Sequence, residues 1–362
     1  MSNRLCATRK SKYTFEYEPQ IETLLDNTLT QIRKDISSSS SAPFIKYLVL
    51  GGGYGRGEGG ILKISTTNPS LKLYNDLDFF VITHPISCKQ KAQINLFLSN
   101  YASKWHNRLG IDVDFSKAYT SRYIRNRRNI LMWREMILGS ILVIGDEKQF
   151  KKDFLPLPIH IAPSEIGKLL MNRVFGLFLA HQKLQKKTPL TIEERDFIAK
   201  NINKALLACT DAILIANNLY TFKTKNRLQN LSRLQGKISP SLLKNLQETY
   251  STALTFKQNP IFFEKNYYII HFKNTLKLCK QVIDSLQELL YTLKYLNLAQ
   301  KLKSIKQSLL LRKSFTKLKI KNNPFLSPYI YATIGMIELM ILEEPISHKT
   351  SLIYRSIWKQ LN

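Results

Sequence analysis

Apolar positions repeat at two different spacings along the chain, and the change between them divides it into two parts. Up to about residue 150, short apolar runs alternate with segments of helical spacing. Runs of about four to eight apolar or β-branched residues between turn residues are typical of strands. We therefore predict strands at 44–50, 76–83, 111–115 and 140–144. Apolar residues three or four positions apart predict helices at 15–37, 89–106 and 124–137.

Beyond residue 163 the spacing is helical almost throughout. Helical periodicity covers 164–184, and Thr191 followed by Glu194 has the spacing of a capping box, which predicts a helix from 191 to about 217. Further helices are predicted at 238–256, 268–298, 300–312 and 328–342. The fold class is therefore predicted to be α/β (α+β), with a small mixed-sheet domain followed by a mainly α-helical domain.

The 362 residues are enough for two or three domains. A serine run at 37–41 separates the first predicted helix from the first strand. We predict an N-terminal helix and linker at 1–42, a mixed-sheet domain at 43–150 and a basic helical domain at 160–362.

The charge balance is strongly basic, with 54 Lys and Arg residues against 26 Asp and Glu residues and a net charge of +28. Such a field favours polyanions, and nucleic acid is the first candidate. The alternative is a solvated lysine-rich surface. The segment 301–321 carries eight Lys or Arg residues and no acid, and it could hold RNA phosphates or form a solvated amphipathic face.

The cysteines and the apolar stretches predict a cytoplasmic protein without a membrane span. The cysteines occur singly, with no metal-finger or redox spacing. They are Cys6, Cys88, Cys209 and Cys279. No secretory signal is visible at the start. The apolar stretch at 329–342 is too short to cross a bilayer and contains Glu338.

The candidate chemistry begins with two carboxylates on one predicted strand. Asp76 and Asp78 flank Leu77, so their side chains project to the same face. Two close carboxylates repel each other unless a cation lies between them, and Mg²⁺ binds carboxylates together with substrate phosphates. A two-metal site needs a further carboxylate, for which Asp112 and Asp114 on the next predicted strand are candidates. The pattern predicts a magnesium site for phosphoryl transfer.

A glycine-rich turn precedes these carboxylates. Gly52 and Gly53 follow the first predicted strand closely. Because glycine lacks a Cβ atom, such a turn lets backbone N–H groups approach phosphate oxygens. Arg56 either contacts phosphate or shapes the turn by pairing with Glu58. We therefore predict nucleotide binding by Gly52, Gly53 and Arg56.

The order of these features resembles the signature of the polymerase-β-like nucleotidyltransferase superfamily. That signature is an apolar strand, a Gly-Ser or Gly-Gly turn often followed by Ala/Gly-Arg-Gly-Glu, and a strand with two acidic residues one position apart. The matching segments here are 50–58, LGGGYGRGE, and 76–80, DLDFF. The resemblance covers 44–146 and, more loosely, 164–220, which looks like the helical domain of antibiotic-modifying and related members.

The resemblance implies an enzyme that moves a nucleoside monophosphate from an NTP to an acceptor hydroxyl and releases pyrophosphate, with Mg²⁺ as cofactor. Asp76 and Asp78 match the carboxylates that hold two Mg²⁺ ions on the triphosphate. The third carboxylate of the family stands between apolar residues, which Asp112 matches best, and Asp114 is the alternative. The helical half would bind the acceptor, which could be RNA, a protein or a small molecule.

Two features depart from the family pattern. Gly53 stands where the family usually has serine, so a hydroxyl contact to phosphate would be missing. The interval between the turn and Asp76 is also longer than usual, with an insertion around 61–74. Neither departure removes a carboxylate.

Two alternative functions remain open at this point. Residues 55–60 fit the G-x-G-x-x-G pattern of a dinucleotide-binding site, which requires a helix to begin at the glycines. Residues 61–75 are poor helix material, which disfavours that function. The other alternative is a catalytically silent RNA-binding protein of the same fold. A cluster of arginines could bind triphosphate or acceptor, or could lie at the surface without a ligand. Its members are Arg122, Arg125, Arg127, Arg128 and Arg134.

Overall fold

The computed structural model describes residues 11–63, 70–286, 328–341 and 347–361. The fold is mixed α/β, as predicted, with a sheet in the N-terminal part and a mainly helical C-terminal part. Three parts of the sequence prediction lie outside the described residues: the helix at 300–312, the basic segment at 301–321 and the end of the helix 268–298. The chain divides into two compact units, 1–160 with 257–260, and 161–256 with 261–362.

The first unit is built on a five-stranded mixed sheet with the order β5-β4-β1-β7, in which β6 also pairs with β4. Strand β1 is antiparallel to both β4 and β7, whereas β5 and β6 are parallel to β4. A separate antiparallel pair, β2 and β3, lies within the predicted insertion. The strands are β1 (Ile45–Leu50), β2 (Ile61–Lys63), β3 (Leu71–Leu73), β4 (Leu77–Thr83), β5 (Val113–Phe115), β6 (Tyr119–Thr120) and β7 (Ile141–Ile144).

Six helices of the first unit accompany the sheet in the part of the chain that the structure describes. The longest, α3, begins at a capping box in which Ser87 and Gln90 satisfy each other's backbone N–H groups, and it ends at Gly110 in the left-handed conformation. The helices are α1 (Pro19–Ser37), α2 (Gly52–Gly55), α3 (Cys88–Leu109), α4 (Ser121–Arg125), α5 (Leu131–Leu138) and α6 (Glu147–Phe154).

The sheet has a buried cluster on each face. Leu77 and Phe79 of β4 pack into one cluster with Trp105 of α3. Ile82, which alternates with them on the same strand, packs into the opposite cluster with Trp133 of α5. Because side chains alternate along a strand, burial of Leu77 and Phe79 directs Asp78 and Phe80 to the face that carries α4, α5 and α6.

The predicted helix at 124–137 is two helices in the structure. Helix α4 ends at Arg125 and α5 begins at Leu131, and the N–H of Ile130 donates to the carbonyl of Arg127 in the turn between them. The Arg128 guanidinium donates to the carbonyl oxygens of Phe154 and Pro156, at 3.0 and 2.7 Å. These distant acceptors favour the turn over a continuous helix, and helical spacing alone does not reveal them.

The second unit is helical throughout its described residues. The capping box at Thr191 and Glu194 is confirmed, with both reciprocal hydrogen bonds present. Helix α7 packs against α8, α12 and α13, and α11 packs against α8. None of the helices in the described ranges is long and apolar enough to cross a membrane. The helices are α7 (Ser164–Leu184), α8 (Ile192–Ala216), α9 (Thr224–Leu231), α10 (Pro240–Gln258), α11 (Lys265–Ser285), α12 (Pro328–Ile341) and α13 (His348–Leu361).

A buried carboxylate on α1 anchors the segment that precedes this helix. Glu22 accepts hydrogen bonds from the backbone N–H groups of Lys12 and Tyr13, at 3.1 and 3.2 Å, and from the hydroxyls of Ser11 and Thr14, at 2.7 and 3.0 Å. The carbonyl of Tyr13 in turn accepts from the N–H of Gly59, at 2.9 Å. The segment therefore links α1 to the glycine-rich region.

We expect Glu22→Gln to lower the free energy of unfolding by about 2 kcal/mol, because hydrogen bonds to a charged acceptor are stronger than those to a neutral amide. Urea denaturation of the full chain measures the change. Glu16→Gln is the matched control, since Glu16 is exposed and in the same segment, and it should change stability by less than about 0.5 kcal/mol. Equal effects of the two substitutions would contradict the anchoring role of Glu22.

Candidate active site

The structure brings Asp78 and Asp114 to directly opposed positions on neighbouring parallel strands. Strands β4 and β5 pair with Asp78 opposite Asp114, and the flanking pairs are Leu77 with Val113 and Phe79 with Phe115. The Phe79 and Phe115 rings stack with centroids 4.7 Å apart. This apolar packing on one face sets the register that puts the two carboxylates side by side on the other face.

The carboxylate of Asp114 is in an unfavourable electrostatic environment. Asp114 is an exposed residue, but partial desolvation of its carboxyl group, followed by the negative charges of Asp76 and Asp112, raises its pKa. The negative charges of Asp76 and Asp112 are therefore close enough to Asp114 to disfavour its ionised form. Such a site gains free energy when a proton or a cation reduces the negative charge.

Asp112, the preferred third carboxylate of the sequence prediction, has a different setting. Its side chain is 71% exposed, and its Oδ1 lies 3.3 Å from Nδ1 of His106 on α3. Its backbone carbonyl accepts a hydrogen bond from the N–H of Leu77, at 2.9 Å. Asp112 is therefore exposed and contacts His106, whereas Asp114 pairs with Asp78 across the two strands.

The glycine turn reaches the same carboxylates. The N–H of Gly51 donates to the backbone carbonyl of Asp78, at 2.8 Å. Gly52 has φ +61°, and a Cβ atom on it would lie 2.2 Å from Oδ2 of Asp78. Helix α2 begins at Gly52, and N–H groups in a first helical turn have no acceptor within the helix. Only glycine fits here, because any side chain would enter the space of the Asp78 carboxylate.

Arg56 takes part in an ion-pair network rather than standing alone in the turn. Its Nε lies 3.4 Å from Oε2 of Glu58, and its guanidinium lies 3.6 Å from Oε2 of Glu135 on α5. Glu58 also contacts Nζ of Lys257, at 3.3 Å, and Lys257 belongs to the same compact unit. Glu58 is only 4% exposed. These contacts fit the alternative in which Arg56 shapes the turn.

Two residues that the sequence prediction left out complete the turn. The buried Tyr54 hydroxyl donates to the carbonyl of Gly60, at 2.8 Å, and accepts from the N–H of Tyr74, at 3.0 Å. Burial raises the pKa of Tyr54, so its hydroxyl stays protonated as a donor. Oδ1 of Asn75 accepts from the N–H of Gly60, at 2.6 Å. A tyrosine among glycines is a signal that the sequence offers for Tyr54. Its partners Gly60 and Tyr74 flank the β2–β3 pair, and only this pairing brings them together.

The glycines at 57–60 are not followed by the helix that a dinucleotide-binding site requires. No helix begins at 57–60, where the N–H of Gly59 pairs with the carbonyl of Tyr13. Strand β2 follows from Ile61. The helix of this region, α2, comes before these glycines, so the G-x-G-x-x-G pattern lacks the helix that would face a pyrophosphate.

The donor set at β4 and β5 fits Mg²⁺ in its chemistry. In the part of the chain that the structure describes, no three His, Cys, Asp or Glu side chains are grouped closely enough to hold a metal ion by themselves. Mg²⁺ sites commonly use one or two carboxylates and complete the coordination with substrate phosphates and water. The opposed Asp78 and Asp114, with Asp76 beside them, supply oxygen ligands of that kind.

The comparisons with known proteins add no assignment. No family model matches the chain, and no curated protein matches it. The resemblance to the polymerase-β-like superfamily therefore rests on the glycine turn and the carboxylate strands themselves.

Gly52→Ala should destabilise the protein more than Gly110→Ala. Both residues have positive φ, so both substitutions strain the backbone by about 1–2 kcal/mol. A Cβ on Gly110 meets nothing within 4 Å, whereas one on Gly52 displaces the Asp78 carboxylate. Urea denaturation compares them, and in an Asp78→Ala background the excess cost at Gly52 should disappear. An unchanged excess in that background would refute the contact.

Asp114→Asn should raise the melting temperature at pH 7 in buffer with a chelator. Since the pKa of Asp114 is raised in the fold, its stability contribution is complete below the unfolded pKa and is lost as pH rises through the folded pKa. The gain should therefore vanish below about pH 4. Asp35→Asn is the control of opposite sign, because a hydrogen bond from Tyr101 lowers the pKa of Asp35. A lower melting temperature for Asp114→Asn at pH 7 would contradict the assignment.

Proposed function

We propose that the protein is a Mg²⁺-dependent nucleotidyltransferase that moves a nucleoside monophosphate from an NTP to an acceptor hydroxyl and releases pyrophosphate. The observation that carries the proposal is the opposed pair of Asp78 and Asp114, with the glycine turn against the Asp78 carboxylate. A glycine turn, a strand with two acidic residues and a further acidic strand, in this chain order, also make up the family pattern that the sequence resembles. Triphosphates are intracellular substrates, so the proposal also implies a cytoplasmic protein.

The carboxylates would bind and position the reacting groups. Asp78 on β4, Asp114 on β5 and Asp76, which directly precedes β4, would supply ligands to the metal together with phosphate oxygens and water, and the metal would neutralise charge on the triphosphate. We assign the third carboxylate to Asp114 in place of Asp112, because Asp114 lies opposite Asp78 and Asp112 lies beside His106. In-line displacement at a phosphoryl group depends mostly on such positioning and electrostatic stabilisation.

The raised pKa of Asp114 also suits it to take the proton of the acceptor hydroxyl. A carboxylate with a higher pKa is a stronger base, and it accepts a proton more readily as the hydroxyl attacks. The acceptor oxygen would form a bond to the α-phosphorus while the bond to the β-phosphate breaks, and the electron pair of that bond leaves with pyrophosphate. Asp114 would keep the proton until it passes to water.

The glycine turn would hold the phosphates from the other side. The backbone N–H groups of Gly52 and Gly53 begin α2 next to Asp78, and the absence of a Cβ lets phosphate oxygens approach them. Arg56 would act indirectly by holding the turn through Glu58 and Glu135. This role differs from the direct phosphate contact that the sequence left open for Arg56.

We expect Asp78→Asn and Asp114→Asn each to lower nucleotide transfer by roughly 10²- to 10³-fold, the usual loss when one electrostatic group of a transition-state site is removed. Asp112→Asn should retain most of the activity. The assay combines the purified chain, Mg²⁺, each α-labelled NTP and a cell lysate, and follows labelled product and pyrophosphate.

The comparison of the three variants tests the assignment as well as the activity. Loss in Asp112→Asn with retention in Asp114→Asn would return the third carboxylate to Asp112. Full activity in Asp78→Asn would refute the mechanism. No transfer with any NTP, together with salt-sensitive RNA binding, would favour the catalytically silent alternative. Thermal melting of each variant checks that the fold is intact.

A further inference from the structure

A row of aromatic side chains leads away from the carboxylates on the same face of the sheet. Phe80 is two residues after Asp78 on β4, and its ring lies 5.8 Å from that of Trp133. Trp133 lies 4.9 Å from Tyr119, whose ring stacks on Tyr123, also at 4.9 Å. This aromatic row (Phe80, Trp133, Tyr119 and Tyr123) begins half-buried and ends at the surface, where Tyr123 is 38% exposed.

The chain segment that carries most of this row is basic and contains no acid. The arginine segment, defined as 116–134, has six Lys or Arg residues and no Asp or Glu. Arg127 places its guanidinium 3.8 Å from the centre of the Tyr123 ring, and Lys91 of α3 places its ammonium 5.5 Å from that of Tyr119. Positive charge is therefore interleaved with aromatic surface at the exposed end of the row.

The arginines of the segment have two different roles. Arg128 and Arg134 donate to backbone carbonyls of residues 154, 156 and 158, which holds the segment against the end of α6. Arg122 and Arg125 are exposed on α4, and no ion pair joins either to a carboxylate among the residues described. The anchored pair gives the segment a defined shape, and the exposed pair presents charge on it.

Exposed arginines beside aromatic rings and guanidinium planes suit a particular ligand chemistry. Single-stranded polynucleotides bind through phosphates that track along positive groups and through bases that stack on aromatic or arginine planes. The Arg127 guanidinium, which lies over the Tyr123 ring that Tyr119 backs, offers such a plane next to Arg122 and Arg125. An acidic peptide would use the charges but not the stacked rings.

We propose that the arginine segment and the exposed end of the aromatic row bind a single-stranded polynucleotide, which is the acceptor of the transfer reaction. The identification of the bound strand as the acceptor rests on the proposed function, whereas the binding surface itself does not. Asp78 and Ile82, where β6 begins to pair, are four residues apart on β4, a distance of about 13 Å along a strand. A polynucleotide bound at this surface and running toward Asp78 would present a terminal hydroxyl to the carboxylates.

The proposed nucleic-acid contact lies on the sheet unit and not on the helical half of the chain. The basic segment at 301–321, the candidate from the sequence for RNA binding, lies outside the described residues. The sequence predicts for the arginine cluster either binding of triphosphate or acceptor, or a surface position without a ligand. The relation of this cluster to the aromatic row depends on the pairing of β6 with β4 and on the packing of Trp133 against Phe80.

Fluorescence anisotropy with a labelled 12-nucleotide single strand, as RNA and as DNA, tests the binding surface. The full-length Asp78→Asn protein is used with Mg²⁺, so that turnover does not alter the probe. Arg122→Ala/Arg125→Ala should reduce the salt dependence of log K by about two phosphate contacts. Tyr123→Leu, which removes the ring that supports the Arg127 guanidinium, should weaken binding by roughly 5- to 100-fold, because a base loses the ordered plane on which it stacks.

The matched control is Lys34→Ala/Lys104→Ala, which removes the same charge from α1 and α3 on the opposite face of the sheet. Binding that falls in the arginine and Tyr123 variants but not in this control supports the proposal, and the stronger of the RNA and DNA probes names the polynucleotide. Equal loss in the control, equal affinity for a duplex of the same sequence, or no binding by the parent protein would overturn it.

A separate readout distinguishes failure of the binding surface from failure of the proposed function. Single-strand binding that depends on Arg122 and Arg125, without transfer by the wild-type chain, would leave the surface standing and refute the enzyme. Transfer to a small molecule or protein that is unchanged in Arg122→Ala/Arg125→Ala would leave the enzyme standing and refute the polynucleotide acceptor.

Discussion

The candidate site depends above all on the register between β4 and β5. Burial of Leu77 and Phe79 against Val113 and Phe115 on one face of the sheet leaves only one favourable alignment, because a shift of one residue would turn the apolar side chains to the other face. That alignment puts Asp78 and Asp114 side by side. Apolar packing thus holds the two acidic residues at neighbouring positions, and the negative charges of Asp76 and Asp112 around Asp114 make the site receptive to a cation.

The close approach of the glycine turn to the Asp78 carboxylate is a second constraint on the site. Gly52 approaches the Asp78 carboxylate so closely that no side chain fits, and its positive φ is one that other residues adopt only with strain. The turn is held from several directions, by Tyr54 and Asn75 toward the β2–β3 pair and by Arg56 through Glu58 and Glu135. The proposed phosphate contact would gain from this rigidity, since an ordered backbone loses less entropy when a ligand binds.

Local signals in the sequence predicted much of the fold, and the failures have a common cause. The capping box at Thr191 and Glu194 was readable because both partners lie within one turn of helix. The break in the predicted helix 124–137 was not readable, because Arg128 finds its acceptors at Phe154 and Pro156. The choice of Asp112 or Asp114 as third carboxylate stays a prediction, and the sequence could not show that Asp114 pairs with Asp78, because spacing along one strand does not tell which carboxylate faces another strand.

The sequence by itself determined the mixed α/β class, the strands β1, β4, β5 and β7 with the helices α1 and α3, and the presence of a glycine turn followed by acidic residues. These follow from periodicity and from residue chemistry that acts over a few positions. Only the tertiary structure decided that Asp114 opposes Asp78, that Arg56 is paired with Glu58 and Glu135, and that the aromatic row continues from Phe80 to Tyr123. Each of these depends on contacts between residues far apart in the chain, which form only when strands pair and the two faces of the sheet are packed.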